Sequence, residues 1–286
     1  MKKLQFKIVL VSQIVIYLLS ISVRLDSKDI VYPWIDAKIP GETIVDRFQP
    51  PEGFKRVTVA EKSYGHWLRQ LPLMQPYSPV MDYQGNIRRA ANDTTIAAVI
   101  NYPIRGKKLE QCMDIIIRFH AEYLFACGRH DEIAYFMPGG FRFEWKDWMN
   151  GKRPRYHGIK MTMRQQTEVD SSKNNFEKYL WELFYHSYTQ TAYIAYNKIS
   201  PYNVQIGDFI VKKGRKGHAV MIVDIAVNEN DDIVAIIGQG DTPARQFHLL
   251  NYKQDNPWFP IEPLESSAPP LPIRKRMTLD GLRRFK

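Results

Sequence analysis

Two stretches of the chain set its architecture by their spacing of apolar side chains. From about Lys108 to Cys127 the apolar positions are Leu109, Met113, Ile116, Phe119 (or His120), Tyr123 and Cys127. These three- and four-residue steps predict an amphipathic helix, opened by Gly106 and closed by Gly128 as its C′ residue. Further on, Phe209–Lys213, Ala219–Val227 and Ile233–Gly238 are rich in β-branched residues and predict a three-stranded meander. The polar run from Asn228 to Asp232 is its second hairpin loop.

Between and around these stretches the pattern is mixed. A strand is expected over Thr94–Tyr102, ended by Pro103, and a short one over Ile133–Phe136, followed by a Pro138-Gly139-Gly140 turn. Phe143–Met149 reads as one or two helical turns, and Asn174–Ile199 as a long helix or a pair, stopped by Ser200-Pro201. Pro33, Pro40, Pro50 and Pro51 make residues 27–60 irregular. Pro263, Pro269, Pro270 and Pro272 make 263–273 a tether or an extended edge. The expected fold class is α+β, a single domain over 27–262 with an antiparallel sheet (the C-terminal meander) packed against helices. A Pro-rich and then basic segment, 263–286, follows it.

The first 26 residues carry a different pattern. Lys2, Lys3 and Lys7 precede a run from Ile8 to Val23 that is apolar apart from Ser12, Gln13, Ser20 and Ser22. A basic region followed by an apolar one is the form of a secretory signal peptide, and Ser20-Ile21-Ser22 suits a cleavage site. The alternatives are an uncleaved N-terminal anchor and a buried N-terminal helix. The expectation is an exported protein, periplasmic or membrane-anchored facing the envelope, that meets the membrane only through this segment.

Composition narrows the function classes. The chain has 286 residues and a formal net charge of +10. Lys2, Lys3, Lys7 and Arg24 against Asp26 leave +3 at one end, and Arg274, Lys275, Arg276, Arg283, Arg284 and Lys286 against Asp280 leave +5 at the other. The body between them carries +2, with no basic cluster interleaved with aromatics, so no nucleic-acid partner is expected. This places function in a neutral cleft and treats the basic C-terminus as a local tail. Two cysteines rule out a disulfide-dense scaffold and a multi-cysteine metal site, and no His-x-x-x-His unit is present. No metal or other cofactor is expected, although His218 and His248 are candidates to meet on neighbouring strands. Cys112 and Cys127 lie roughly 22 Å apart along one helix, too far for a disulfide, which needs about 4.4–6.8 Å between Cα atoms. Cys127 is expected in the core. Trp67, Tyr83, Phe141, Phe143, Trp145, Trp148 and Tyr156 fall in two loop-rich stretches, where they either line a peptide or carbohydrate cleft or pack over the sheet.

Several strings, taken in order, resemble a bacterial family. They are Tyr64-Gly65-His66-Trp67-Leu68-Arg69 with Leu71-Pro72-Leu73, then Leu109-Glu110-Gln111-Cys112-Met113-Asp114 with Arg118 and Ala121-Glu122-Tyr123-Leu124. Trp148 with Gly151, Gly207-Asp208-Phe209, Gly217-His218-Ala219-Val220 and Pro257-Trp258-Phe259 complete the set. The chain is identified on these as similar to domain-of-unknown-function family 4846, whose members are typically exported and often lipoproteins. The resemblance runs from about residue 45 to the C-terminus. It implies export and one domain but supplies no mechanism. This chain departs from the common pattern in having no cysteine just after its apolar N-terminal run.

The segment Gly207-Asp208-Phe209, Gly217-His218-Ala219-Val220 and Ile233 to Gln239 is also similar to the C-terminal half of CHAP and NlpC-type cysteine hydrolases. That resemblance implies a papain-like arrangement, with Cys112 as nucleophile, His218 as base and Gln239 as the group orienting the histidine. Gln111 or a nearby backbone N–H would serve the oxyanion. It further implies a cell-wall peptide or glycan as partner and a peptide or amide bond as target. Against this stands a plainer reading of each residue: Cys112 on the apolar stripe as core, His218 as a strand histidine bonded to a loop, Gln239 as a strand-end cap. On those readings the protein is a non-catalytic envelope binding or structural module, or an interaction protein whose basic C-terminus meets an anionic lipid or wall polymer.

Overall fold

The computed structural model describes residues 32, 34 and 42–286 apart from 105, 159, 215 and 264–267. The N-terminal targeting segment, 1–26, lies outside the described residues. The described chain enters through α1 (Ile44–Arg47), β1 (Lys55–Arg56) and α2 (Tyr64–Arg69). The hairpin β2 (Val80–Met81) and β3 (Ile87–Arg89) and the strand β4 (Ile96–Val99) lead to α3 (Cys112–Ala126). A second hairpin, β5 (Ala134–Phe136) and β6 (Arg142–Glu144), runs into α4 (Trp145–Met149), and a third pairs β7 (Lys152–His157) with β8 (Lys160–Gln165). Helices α5 (Lys173–His186) and α6 (Thr189–Ala195) and the strand β9 (Asn197–Lys198) precede the meander β10 (Phe209–Lys212), β11 (His218–Val227) and β12 (Ile233–Gln239). Three strands close the chain: β13 (His248–Leu250), β14 (Trp258–Ile261) and β15 (Leu282–Arg284).

The strands form an open, nine-stranded antiparallel sheet in the order β4-β13-β12-β11-β10-β15-β9, with β1 added to β11 and β14 to β12. The fold is a single α+β domain with helices against this sheet, as the spacing of apolar residues predicts. The central strands β11 and β12 are almost wholly buried and apolar because other elements cover both of their faces. On one face Ile210, Val220, Ile222, Ile237 and Phe259 pack with Met277, Leu279 and Leu282 of the C-terminal segment. Each such side chain contributes about 1.5–3 kcal/mol by leaving water. On the other face Phe119 of α3 meets Phe247, Trp67 and Tyr102.

The basic C-terminus is therefore not a free tail. β15 enters the sheet between β10 and β9, and the Arg284 guanidinium forks onto the buried Asp208 carboxylate at 2.6 and 2.7 Å. The aromatic stretch 143–148 is mostly packing: Phe143, Trp145 and Trp148 cluster on Tyr179 of α5. The long helical stretch divides at Ser187-Tyr188 into α5 and α6. Among the described residues, no helix is long and apolar enough to cross a membrane.

The predicted helix from Lys108 starts four residues later, at Cys112. Glu110 sits at φ 66°, outside the helical region, and its buried carboxylate contacts Arg118 at 2.7 Å and the Tyr102 hydroxyl at 2.7 Å. Those contacts hold the chain out of the helix until Gln111, whose N–H donates to the Asp114 carboxylate at 3.0 Å. At the far end Gly128 takes φ 69°, and the N–H groups of Gly128 and Arg129 return to the carbonyls of Phe125 and Leu124. Cys127, expected in the core, is exposed there, because the helix has run past the sheet by its last turn.

Candidate active site

Three polar side chains sit in a row on the strands that follow α3. His218 opens β11, Gln239 closes β12 and His248 opens β13, and the register sets Gln239 opposite His248. His218 Nε2 lies 2.5 Å from Gln239 Oε1, Gln239 Nε2 lies 3.2 Å from His248 Nε2, and His248 Nδ1 lies 2.9 Å from the Gln246 carbonyl oxygen. All three side chains are buried.

The chemistry of the row fixes its protons. The Gln246 carbonyl can only accept, so His248 Nδ1 carries the hydrogen. Burial pushes the His248 pKa down to about 4, so the ring is neutral at neutral pH and its Nε2 accepts. Gln239 must then turn its NH₂ to His248 and its oxygen to His218. That oxygen accepts from His218 Nε2, which leaves the lone pair on His218 Nδ1. Nδ1 is buried and has no hydrogen-bond partner among the described residues. The Asp241 carboxylate stands 4.0 Å from it. Burial, above all, holds the His218 pKa below its ordinary value; the Gln239 bond and Asp241 oppose this, and Lys275 and Arg245 add to it. His218 is thus a neutral imidazole with its basic nitrogen defined.

Cys112 is the first residue of α3, where backbone N–H groups have no partners within the helix. It approaches β11 at the residue after His218, where the Ala219 N–H favours the thiolate through a hydrogen bond. The approach requires a glycine at the end of β12: a Cβ on Gly240 would fall 2.8 Å from Ile115 Cγ2, 3.4 Å from the Gln111 oxygen and 3.7 Å from Cys112 Cα. Cys112 is 7% exposed, and burial, then the Asp114 charge, push its thiol up to about 11. At neutral pH it is a protonated thiol. The helix end and the Ala219 N–H do not outweigh desolvation.

The Gln111 side chain bonds at both ends, its Nε2 donating to the Lys108 carbonyl at 3.2 Å and its Oε1 accepting from the Thr242 hydroxyl at 2.8 Å. It ties the start of α3 to the loop after Gly240, which leaves backbone N–H groups of the first turn as the available oxyanion donors.

A cleft of about 410 Å³ opens beside His218 and Gln239. Its wall includes Arg88, Arg89, Arg245, Arg274 and Lys275, with Asp241 as the one carboxylate among the described residues. The expectation of a neutral cleft is overturned: the C-terminal segment folds back and brings its charge to the site. Lys275 Nζ donates to the Gly217 carbonyl, one residue before His218, at 2.7 Å. Cys112 does not line this cleft. Among the described residues, no group of three or more His, Cys, Asp or Glu side chains gathers to hold a metal ion. His218 and His248 do meet, through the Gln239 amide.

Sequence reasoning expects Cys112, His218, Gln239 and Gln111 in one neighbourhood; the structure joins His218 to Gln239, sets Cys112 against the Ala219 N–H and ties Gln111 to Thr242. It anticipates a meeting of His218 and His248 but misses the Gln239 amide that bridges them, the cationic wall, and Arg118 with Glu110. A signal for His248 was present, since Gln246 and His248 alternate with Phe247 and Leu249 in the two-residue period of a strand.

The domain is thus an α+β protein with a cysteine at a helix N-terminus beside a histidine–amide–histidine row. A family described as domain of unknown function (4846) matches residues 44–270, and the chain belongs to that family. No curated protein and no solved structure matches it.

Proposed function

We propose that this protein is an exported cysteine hydrolase of papain-like logic that cleaves peptide or amide bonds of the cell envelope. The observation that carries the reading is the fixed tautomer of His218, whose unpartnered Nδ1 lone pair lies on the residue adjoining the Ala219 contact of Cys112. With both groups neutral at rest, the cysteine acts by general-base delivery and not as a preformed thiolate. His218 Nδ1 takes the thiol proton as sulfur bonds to the carbonyl carbon, and backbone N–H groups at the start of α3 meet the oxyanion. The proton passes to the leaving amine as the C–N bond breaks. Water, deprotonated by the same nitrogen, then hydrolyses the thioester and releases a carboxylic acid and the free thiol.

The test is incubation with envelope peptides, followed by intact-mass analysis. An acyl adduct on Cys112 and amine release, both lost in Cys112→Ala and His218→Ala, are expected; folded protein that releases no amine and takes no adduct contradicts the reading. Export is tested separately, by the N-terminus of the mature protein, expected just after Ser22.

A second reading, a non-catalytic envelope module that binds wall peptide or glycan, is favoured by one observation. The Cys112 thiol is buried, pushed up to about 11 and absent from the cleft wall. That reading predicts ligand binding unaffected by Cys112→Ala, with no turnover.

A further inference from the structure

The wall of the cleft beside His218 carries more positive charge than its surroundings neutralise. Arg88 is paired with the buried Asp82 at 2.7 Å and Arg89 with Asp93 at 3.3 Å. Arg245 is buried, 3.4 Å from Asp241, and donates to the backbone carbonyls of Thr242 and Pro243. Arg274 and Lys275 have no carboxylate partner among the described residues, and Lys275 has only the Gly217 carbonyl. The cations come from three separate segments. Arg88 and Arg89 lie on β3, Arg245 lies on the loop before β13, and Arg274 and Lys275 lie on the C-terminal segment. The fold thus spends three connections to converge like charges on one space.

Such a convergence is unfavourable when empty of counter-charge. Burial lowers the Arg245 pKa and Asp241 opposes this, while Arg89 and Arg88 add to the lowering; at His218, likewise lowered by burial and opposed by Gln239 and Asp241, Lys275 and Arg245 add to it. A buried polar atom without a partner, His218 Nδ1, lies on a residue of the same wall. Guanidinium groups form paired, charge-assisted bonds with planar or tetrahedral oxyanions.

We infer that this cleft is an oxyanion site, taking a ligand whose carboxylate or phosphate group docks on Arg245, Arg274 and Lys275 beside His218. The inference rests on the reading of this cleft as the ligand site and is independent of any chemistry at Cys112. If both hold, the hydrolase acts on substrates carrying an acidic group next to the scissile bond.

The experiment uses the full chain with Cys112→Ala, so that turnover plays no part, and titrates inorganic phosphate and glutarate by calorimetry. Saturable binding at millimolar concentrations or below is expected for one of them, and which of the two binds tighter separates a phosphate source from a carboxylate one. Arg274→Gln with Lys275→Gln should weaken it about tenfold or more, and added NaCl should weaken it further. The unfolding midpoint of that variant shows that it remains folded. Binding should also raise the His218 pKa, read from its imidazole ¹⁵N shifts, because an anion cancels the field of Lys275 and Arg245. No saturable binding of either probe, or affinity unchanged in the folded variant, would overturn the inference. Anion binding without amide cleavage in the parent protein removes only the hydrolase reading, and cleavage without anion binding removes only this one.

Discussion

Gln239 holds His218 by a single bond, 2.5 Å from Oε1 to Nε2, and the other end of the same amide is committed to His248. One side chain therefore decides which nitrogen of His218 is basic. Gln239→Leu keeps the bulk and removes both bonds. It leaves the His218 N–H and the His248 Nε2 buried and unsatisfied, at about 1–3 kcal/mol each. Urea unfolding should show a loss of roughly 2–4 kcal/mol, and the His218 ¹⁵N shifts should change from one tautomer to a mixture. Unaltered His218 shifts would show that the row does not set the tautomer.

Arg118 works at a distance from the cleft. Its guanidinium contacts Glu110 at 2.7 Å, Glu122 at 3.1 Å and Glu177 at 2.8 Å, and Glu110 shapes the turn that delivers Cys112 to the first position of α3. Arg118→Met strands buried carboxylates, and breaking such a cluster costs about 3–5 kcal/mol. Chemical unfolding should report a loss of that size. A loss below about 1 kcal/mol would place Arg118 among ordinary surface pairs.

The fold was legible where side-chain period and burial agree. The meander from Phe209 to Gln239 and the Asn228–Asp232 loop follow from β-branched alternation, and the end of α3 follows from Gly128. The start of α3 was not legible, because Leu109 continues the apolar period while Glu110, two residues before Cys112, is drawn out of the helix by Arg118. That contact joins residues eight apart and has no local signature. The cationic wall was hidden for a related reason. Arg89, Arg245 and Lys275 are far apart in sequence, and a charge count by segment assigns the last to a tail. The pairing of β15 with β10 and β9, and the packing of Met277 and Leu279, bring the C-terminus back to the sheet. The His218–Gln239 pair was legible because one begins and the other ends a strand of the same meander.

Asp114 carries a pH signature. Burial raises its carboxyl from 3.8 to about 7, opposed by bonds from Ser187 and from the Gln111 N–H, and the Glu110 charge adds to the rise. The folded state therefore keeps a proton that the unfolded state releases, so this group's contribution to stability falls as pH rises from about 4 to about 7. His248, with its pKa lowered to about 4, contributes in the opposite sense, gaining stability as pH rises towards its ordinary value. The difference between the parent and Asp114→Asn isolates Asp114. Unfolding free energies should show the variant gaining on the parent by roughly 2–4 kcal/mol between pH 4 and pH 8. A constant difference across that range would show that Asp114 titrates normally.

The most direct measurement is site-resolved alkylation of Cys112 by iodoacetamide at pH 7, followed by mass spectrometry, with the exposed Cys127 as internal reference. If His218 Nδ1 is the base for Cys112, His218→Ala should slow Cys112 labelling by at least tenfold, within the range of about 10²–10⁴ for general-base assistance or just below it. Gln239→Leu should slow it less, and Cys127 should label equally in all three proteins. Equal labelling of Cys112 with and without His218 would contradict the account.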